Sequence, residues 1–401
     1  MAIRHCQILL IALVMAMLFS NVSASFQAPP SGPPISVAEH NGATVLGNAL
    51  DSSVDAYVRD LMAKRHVPGL ALAVIRRGRV ERVASYGLAS LEFSLPVTPT
   101  TIFHVASVTK SFTAAGLMKL VEAGKLKLDD PIADYLEGLP ESWRVVKIRQ
   151  LLSHTSGLPD VVKSGNPDPI AETPEEALSL LHDRPMDFAP GSQYRYCQTD
   201  YMLLGLLIEK VSGLSYTQFC QTQLFGPAGL SDPQFGDTRT LIKNRGPIYT
   251  PYAFDAKGSR ITGDLKVLNF KSPLMVYPNN GLNLSVQDLA RWVVALMNYK
   301  VINRESLETL LTPLRLNDGS LSEVPASPYY PWRAAGMGGL LIVPDALHPA
   351  AGATGGPYAA FLFYPRDKLA VVVLTNTQES NPDWIVGDIA RKYLAASEGG
   401  K

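Results

Sequence analysis

A serine and a lysine lie three residues apart in the apolar stretch "FHVASVTKSF", which runs from Phe103 to Phe112. Because positions i and i+3 share one face of a helix, the amine of Lys110 can reach the hydroxyl of Ser107. A serine hydroxyl is a weak nucleophile until a neighbour takes its proton, and a lysine kept neutral by apolar surroundings can do this. At the start of a helix the backbone N–H of Ser107 is also free to bind an oxyanion. The spacing therefore predicts an acyl-transfer site.

The same spacing also has an ordinary structural explanation. Any helix can place a serine three residues before a lysine, with the serine capping the helix and the lysine in solvent. The pair alone does not distinguish between these two interpretations, so evidence from other segments of the chain is needed.

Seven segments follow one another along the chain: SVTK, LLSHTSGLPD, FAPGSQYRY, TDYMLLGLLIEKVSG, LFGPAGL, GLNLSVQDLARW and GATGG…YPRDKLAVVVLTN. They occur in this order in serine β-lactamase-like hydrolases, and with them the chain resembles that family. The resemblance runs from about Ser52 to the end of the chain. The most similar groups are class C β-lactamases, related esterases, D-aminopeptidases and DD-peptidases. The motif Ser-x-x-Lys is also typical of penicillin-binding proteins.

The resemblance implies catalytic roles for residues of the first two motifs. Ser107 would be the nucleophile and Lys110 the amine that activates it. Tyr196 stands where the family has the tyrosine of Tyr-x-Asn, which handles the leaving-group proton as a phenolate or as a hydrogen-bond relay. A lysine next to a tyrosine makes such proton transfer feasible near neutral pH, because an ammonium stabilises a phenolate.

The third motif of the family falls on residues 353–356, Ala-Thr-Gly-Gly. The resemblance places the second oxyanion donor at the backbone N–H of Gly356, opposite that of Ser107, on an edge-facing strand. The resemblance also places Thr354 and Gly355 against the substrate. Glycines on an inner strand let an acyl group approach the backbone closely.

Two positions depart from the family's motifs. Gln198 replaces the asparagine of Tyr-x-Asn, whose amide holds the lysine and a substrate carbonyl, so we expect an altered substrate preference. Ala353 replaces the lysine or histidine that helps to bind a substrate carboxylate and to polarise the tyrosine. This change disfavours β-lactams and D-Ala-D-Ala ends, unless His348, Arg195 or Arg333 supplies the missing charge.

These residues predict a serine hydrolase that cleaves a neutral ester or amide with a small acyl group, through an acyl-enzyme on Ser107. One alternative within enzymes is a β-lactamase or a D-Ala-D-Ala peptidase. An alternative outside enzymes is a binding or regulatory protein that keeps the pocket but has lost turnover, which the alanine at position 353 leaves open.

Other reactive side chains receive structural interpretations. His104 is expected to be a packed core histidine, and His154 and Ser156 to shape the floor of a helical lobe. Cys197 is interpreted as a small packing residue. A disulfide between Cys197 and Cys220 is an open alternative in an oxidising compartment.

The elements that must position these residues are strands at both ends of the chain with helices between them. A helix from about Ser52 to Arg65, a hairpin turning at Gly78 and a helix ending at Gly124 come first. Three strand-like segments, GMGGLLIV, AAFLFYP and LAVVVLTN, and a closing helix come last. This order predicts an α/β (α+β) fold of the β-lactamase/transpeptidase type, in which an antiparallel sheet from both ends is flanked by helices and carries an inserted, mainly helical lobe.

The predicted domain organisation is a single two-lobed domain over residues 49–397. Its sheet comes from about 49–100 and 330–397 and its helical lobe from about 125–325, with the site at the seam between them. Residues 1–24 predict a signal peptide, with a basic start, the apolar run ILLIALVMAMLF and the cleavage pattern Val22-Ser23-Ala24, and 25–48 predict a flexible lead-in. We therefore expect an exported protein, periplasmic or extracellular.

The composition limits the kinds of partner that the protein is expected to bind. The 401 residues carry 36 acidic and 36 basic side chains, so no basic surface for nucleic acid is indicated. No Cys/His spacing is typical of a metal site, and we expect no cofactor. No apolar run after the leader is long enough to span a membrane. The expected partner is a small-molecule ester, amide or peptide, and the oligomeric state stays undetermined.

Overall fold

The protein is described by a computed structural model that covers residues 49–162, 171–254, 260–324, 334–343 and 345–398. The predicted signal peptide and lead-in, and Arg333, lie outside the described residues. No helix within these ranges has the length and hydropathy needed to cross a bilayer.

An eight-stranded antiparallel sheet is built from both ends of the chain, in the order β3-β2-β1-β13-β12-β11-β10-β9. The pairing of β1 with β13 joins the N-terminal hairpin to the C-terminal strands, so the predicted sheet is confirmed. Its strands are β1 Gly69–Arg76, β2 Arg79–Ser90, β3 Leu95–Pro96, β9 Ala334–Ala335, β10 Leu341–Val343, β11 Ala350–Thr354, β12 Ala359–Tyr364 and β13 Leu369–Thr375.

Helices pack on both faces of this sheet, and most of them come from the part of the chain between its N-terminal and C-terminal strands. They are α1 Ala49–Arg65, α2 Thr109–Glu122, α3 Ile148–Leu152, α4 Pro174–Leu181, α5 Gln198–Ser212, α6 Tyr216–Cys220, α7 Gly226–Ala228, α8 Tyr277–Asn280, α9 Val286–Met297, α10 Arg304–Leu311 and α11 Pro382–Glu398.

Five more strands are described outside the large sheet, and four of them, β5 to β8, lie within the region predicted to be mainly helical. They form a small three-stranded sheet, β4-β8-β5, and a separate hairpin, β6-β7. Their bounds are β4 Ile102–His104, β5 Gln234–Phe235, β6 Tyr249–Phe254, β7 Arg260–Val267 and β8 Leu282–Ser285.

Strand β1 is apolar from Gly69 to Ile75 because both of its faces are covered. Alternate side chains of a strand point to opposite faces. Leu70, Leu72 and Val74 pack in a cluster with residues of α1 and α11. The residues between them pack in a second cluster, together with residues of α2 and α9. This two-sided burial makes β1 and its neighbour β13 the centre of the core.

Helix α2 passes through the core, and the predicted nucleophile lies in the turn that leads into it. A single 3-10 turn, Ala106–Val108, links β4 to α2 and includes Ser107. Nearly every side chain of α2 is buried, as expected for a helix that is apolar on all sides. The helix ends before Gly124, which has a φ of +67° and so provides the predicted stop.

The segment GMGGLLIV is not one continuous strand, as the sequence had suggested. Only Leu341–Val343 is β-structure, because Gly338 and Gly339 have φ values of +81° and +64° and form a turn. A Cβ on Gly339 would lie 3.0 Å from the Cβ of Lys110, and one on Gly338 would lie 2.5 Å from the Cβ of Ala114. The two glycines therefore let this turn close tightly against α2.

Two helical glycines, one of them in a close contact between helices, provide a matched test of how tightly the helices pack. An alanine is favoured over glycine inside a helix by about 0.5–1 kcal/mol. At Gly205 in α5 a Cβ would lie 2.3 Å from the Cγ of Pro278 in α8, whereas at Gly387 in α11 the nearest atom is 3.8 Å away. We expect Gly205→Ala to lower the free energy of unfolding by about 1–3 kcal/mol, because overpacking outweighs helix propensity.

The control, Gly387→Ala, should raise the free energy of unfolding slightly. Urea denaturation of both variants measures the two changes. A Gly205→Ala protein as stable as the Gly387→Ala protein would contradict the close packing of α5 on α8.

Candidate active site

Lys110 is completely buried in the first turn of α2 and has three oxygen neighbours. Its Nζ lies 2.9 Å from Oε1 of Gln198, 3.1 Å from the carbonyl oxygen of Asn279 and 3.5 Å from Oγ of Ser107. Burial lowers the pKa of Lys110 to about 7, although the carboxyl groups of Asp160 and Asp200 act in the opposite direction. A large fraction of Lys110 is therefore neutral at physiological pH.

The neighbours of Lys110 leave its lone pair for the serine. A neutral amine has two N–H donors and one lone pair. The carbonyl oxygens of Gln198 and Asn279 can only accept, so they take the two N–H groups. The lone pair is then available to accept the proton of the Ser107 hydroxyl, the remaining polar neighbour.

Tyr196 lies on the other side of Ser107, and its hydroxyl donates a 2.7 Å hydrogen bond to Oγ of Ser107. The side chain keeps 40% of its surface exposed. Burial around the hydroxyl nevertheless raises the pKa of Tyr196 above its ordinary value, and the hydrogen bond to Ser107 opposes this change. Together with the lowered pKa of Lys110, this favours a protonated tyrosine beside a neutral amine, and hence the relay over the phenolate.

The third motif lies close to the nucleophile turn. A Cβ on Gly355 would lie 2.1 Å from the carbonyl oxygen of Val105, two residues before Ser107, so only glycine fits at this contact. Thr354 at the end of β11 lines the same cavity as Ser107. The expected place of Gly356 on an edge-facing strand is wrong, because it lies in the turn after β11 with a φ of +59°. Strand β11 itself has neighbours on both sides.

Within the described residues, the side chains considered as substitutes for the missing cation at Ala353 are already paired. Ala353 is itself completely buried. Arg195 lines the cavity but forms an ion pair with Asp187 and donates a 3.1 Å hydrogen bond to the carbonyl of Leu158. His348 lies 3.0 Å from Asp367, and it is not part of the cavity wall.

Three polar residues near the site were not identified from the sequence: Asp160, Asp200 and Asn279. Asp200 is completely buried, and its carboxyl accepts a hydrogen bond from Ser156 and lies 2.9 Å from Nδ1 of His154. Burial raises the pKa of Asp200 well above its ordinary range. A carboxyl group in the apolar helix "TDYMLLGLL" was the available signal, since buried acids need specific partners.

The buried cluster of His154, Ser156 and Asp200 contacts Tyr196 through His154, which also lines the cavity. The ring of His154 lies 4.5 Å from the Tyr196 ring, centroid to centroid. Burial lowers the pKa of His154 well below its ordinary value, so the imidazole is neutral. These contacts agree with the structural role expected for His154 and Ser156.

The remaining candidates are packing residues. His104 is buried, its pKa is lowered to about 4 by burial, and its ring contacts those of Phe270 and Tyr358. Cys197 and Cys220 are both free and buried, so the open alternative of a disulfide is wrong. Burial raises the pKa of the Cys197 thiol, which disfavours a second nucleophile there.

A cavity of about 560 Å³ adjoins these groups. Ser107, Lys110 and Tyr196 form part of its wall, and apolar side chains form much of the rest: Val324, Ala335, Leu340 and Leu341. In the described part of the chain no group of three or more His, Cys, Asp or Glu side chains could hold a metal ion.

The sequence and fold of the chain match those of known proteins. The family model described as Beta-lactamase matches residues 54–396. The chain belongs to the beta-lactamase family. The resemblance inferred from the seven segments and the predicted fold class are thereby confirmed.

Several relatives show how far this similarity extends. Penicillin-binding protein 4* of Bacillus subtilis (strain 168) is 31% identical over 244 residues, which are 59% of this chain and 53% of that protein. The chain thus spans about half the length of the curated relatives that it matches. The octameric penicillin-binding protein homologue from Pyrococcus abyssi is 29% identical with a TM-score of 0.69, over 87% of this chain and 77% of that one.

The D-amino acid amidase from Ochrobactrum anthropi SV3, solved with L-phenylalanine, shares the fold. Its TM-score is 0.71 at 22% identity, over 87% of this chain and 99% of that one.

The lowered pKa of Lys110 predicts how hydrolysis depends on pH. Burial disfavours the ammonium, so Lys110 is neutral above pH about 7 and protonated below it. We expect kcat/KM for an uncharged ester to rise with pH through a midpoint near this value, because only the neutral amine can accept the serine proton. Steady-state kinetics across this range measures the midpoint. A rate that rises only near the ordinary pKa of lysine would contradict the assignment.

Proposed function

We propose that this protein is a serine hydrolase that cleaves a neutral ester or amide through an acyl-enzyme on Ser107. The observation that carries the proposal is the position of the Ser107 hydroxyl, which lies 3.5 Å from the amine of Lys110 and 2.7 Å from the hydroxyl of Tyr196. A base and an acid thus contact one nucleophile, which is the arrangement that nucleophilic acyl transfer needs.

In the acylation step, Lys110 takes the proton of Ser107 while Oγ forms a bond to the substrate carbonyl carbon. The backbone N–H groups of Ser107 and Gly356 bind the oxyanion that develops on the carbonyl oxygen. Tyr196 gives its proton to the leaving alcohol or amine as the bond to that group breaks. The proton held by Lys110 then restores Tyr196, so the acyl-enzyme contains a neutral amine and a protonated phenol.

In the deacylation step, a water molecule attacks the acyl carbon of Ser107. Lys110 is neutral again and accepts a proton from this water, with Tyr196 as the relay between them. Oγ of Ser107 leaves with a proton, and the acid product is released. The reaction balances without a cofactor, because every proton that Lys110 accepts is returned within the cycle.

A neutral substrate is supported by the side chains that surround the cavity. A substrate carboxylate loses water on binding and costs several kcal/mol unless a cation replaces that water. Ala353 offers no charge, and the guanidinium of Arg195 is engaged by Asp187. The cavity volume of about 560 Å³ is in the range of sites for drug-sized ligands, so the substrate can be larger than a small acyl ester.

The rival function, a binding protein without turnover, is disfavoured by the geometry of the site. A protein that only binds has no need of a lysine held neutral beside a serine, since burying that amine costs stability. The name of the structurally similar D-amino acid amidase is consistent with amide cleavage in this fold.

Substitution of the nucleophile tests this function. We expect Ser107→Ala to abolish covalent labelling by a fluorophosphonate probe and hydrolysis of an aryl ester. Lys110→Ala should lower kcat/KM by about 10²–10⁴-fold, because solvent cannot replace a base in a buried position. Mass spectrometry of the labelled protein and ester kinetics measure both effects.

Ser111→Ala is the matched control, since Ser111 is a buried serine four residues after Ser107, in the first turn of α2. It should keep labelling and turnover. Full activity in Ser107→Ala would contradict the site assignment.

Substrate charge provides a second test. We expect the wild-type protein to hydrolyse an uncharged aryl ester readily and a carboxylate-bearing cephalosporin poorly, because Ala353 offers no charge and Arg195 and His348 already pair with Asp187 and Asp367. Ala353→His should improve kcat/KM for the cephalosporin more than for the ester, by roughly 10–150-fold if one charge-assisted hydrogen bond forms. The ratio of the two kcat/KM values in both proteins measures this. A wild-type preference for the cephalosporin would contradict it.

A further inference from the structure

We propose that the acyl group of the substrate is bulky and apolar, and that it binds against the turn between β9 and β10 and the residues on either side of this turn. This inference rests on the proposed function and names the substrate class of the same site. It differs from the expectation from the sequence, in which the acyl group is small.

Two stretches of the chain that differ in polarity supply most of the cavity lining. The stretch that leads into α5 is polar and contributes Tyr194, Arg195 and Tyr196. The other part, called the apolar wall below, comes from β9, the turn after it and the start of β10, together with one residue before β9. It consists of Val324, Ala335, Gly336, Gly339, Leu340 and Leu341. None of these six residues has a polar side-chain atom, so the apolar wall suits a hydrocarbon group.

The chemistry of the proposed reaction decides which part of the substrate lies against the apolar wall. The three bonds of a carbonyl carbon diverge. The oxygen binds the backbone N–H groups of Ser107 and Gly356, and the leaving group must reach the hydroxyl of Tyr196, which protonates it. The leaving group therefore lies toward the polar stretch that contains Tyr196. The acyl group is the remaining substituent, and the space along the apolar wall is left for it.

Small residues leave room for a bulky group close to the catalytic base. Gly339 lines the cavity without a side chain, and a Cβ at this position would lie 3.0 Å from the Cβ of Lys110. Ala335 is paired with Leu341 across β9 and β10, and it presents only a methyl group. A large side chain at position 335 would take up space that the substrate can use.

The apolar wall is held in place by hydrogen bonds of its own backbone. The N–H of Met337 donates to the carbonyl of Leu310 in α10 at 3.0 Å, and the N–H of Gly338 donates to the carbonyl of Leu152 in α3 at 2.9 Å. A small acyl group would fill only a small part of a cavity of about 560 Å³. Because each buried methylene group improves binding roughly fourfold, a bulky acyl group gains from the surface that a small one leaves uncovered.

A pair of isomeric esters tests this inference. Methyl phenylacetate carries a phenyl ring in its acyl group, whereas benzyl acetate carries the same ring in its alcohol. We expect the wild-type protein to have a kcat/KM about 10- to 100-fold higher for methyl phenylacetate, because only this isomer places the ring against the apolar wall. Each value is divided by the rate of hydroxide-catalysed hydrolysis of the same ester, so that a difference in intrinsic reactivity does not contribute.

Ala335→Leu fills the proposed acyl site. We expect it to lower the ratio of the two kcat/KM values about 10-fold or more, because the added carbon atoms occupy the space of the ring. The ratio does not depend on the fraction of protein that folds, since unfolded protein lowers both rates equally. Ala396→Leu is the matched control, because Ala396 is exposed on α11, and it should keep the wild-type ratio.

The outcomes separate this inference from the proposed function. A wild-type preference for benzyl acetate, equal values for the two esters, or an unchanged ratio in Ala335→Leu would overturn the acyl site, and so would a protein that a fluorophosphonate labels at Ser107 but that cleaves neither ester. In each of these cases the hydrolase assignment stands. If Ser107 is not labelled and neither ester is cleaved, the hydrolase assignment fails, and the acyl site fails with it.

Discussion

The burial of Lys110 without a directly bonded carboxylate is the constraint on which the site depends. An ammonium removed from water is costly, and a protein can avoid that cost by binding the group in its neutral form. The contacts of Lys110 are suited to this, since carbonyl oxygens take its N–H groups. The aromatic rings of Tyr196 and Tyr201 lie 4.7 Å and 5.1 Å from Nζ, and they can stabilise the ammonium that forms briefly during the reaction.

Burial also favours the neutral forms of the two carboxyl groups near Lys110. Ionised Asp160 and Asp200 would favour the ammonium, and Lys110 would then be unable to act as a base. Burial raises the pKa of both carboxyl groups, which weakens this effect. Acids and amine are thus kept toward their neutral forms by the same exclusion of water. The fold provides that exclusion through α2, which is buried on all sides, and through the glycine turn that closes over Lys110.

The main elements of the fold and the central pair of the site could be predicted because their signals are local. Ser107 and Lys110 share a helix face, and the strands at both ends are marked by apolar runs between turn residues. The small strands β5 to β8 were not predicted, since short strands in a helix-rich region carry weak periodicity. The segment GMGGLLIV was predicted as a strand, but Gly338 and Gly339 adopt left-handed conformations against α2, and that conformation depends on contacts distant in sequence.

Long-range partners explain most of what the sequence could not show about the site. The carbonyl of Asn279 contacts Lys110 from 169 residues away, and a backbone oxygen has no residue type that a motif could reveal. The sequence marks Gln198 as a departure from the family's motif, but it does not show that the side chain points toward Lys110. That orientation depends on the hydrogen bonds that the backbone of Gln198 forms with Asp160 and Asn279. Such features follow from tertiary packing and become visible only in the folded chain.

The most direct test is an NMR titration of the Lys110 side chain in protein labelled with ¹³C at the lysine ε-carbon, with the signal assigned by its loss in Lys110→Arg. A lysine that is neutral beside Ser107 should titrate near pH 7, far below the ordinary lysine value of 10.5. Titration at that ordinary value in the folded protein would show that Lys110 is an ammonium at neutral pH, and it would contradict its role as the base.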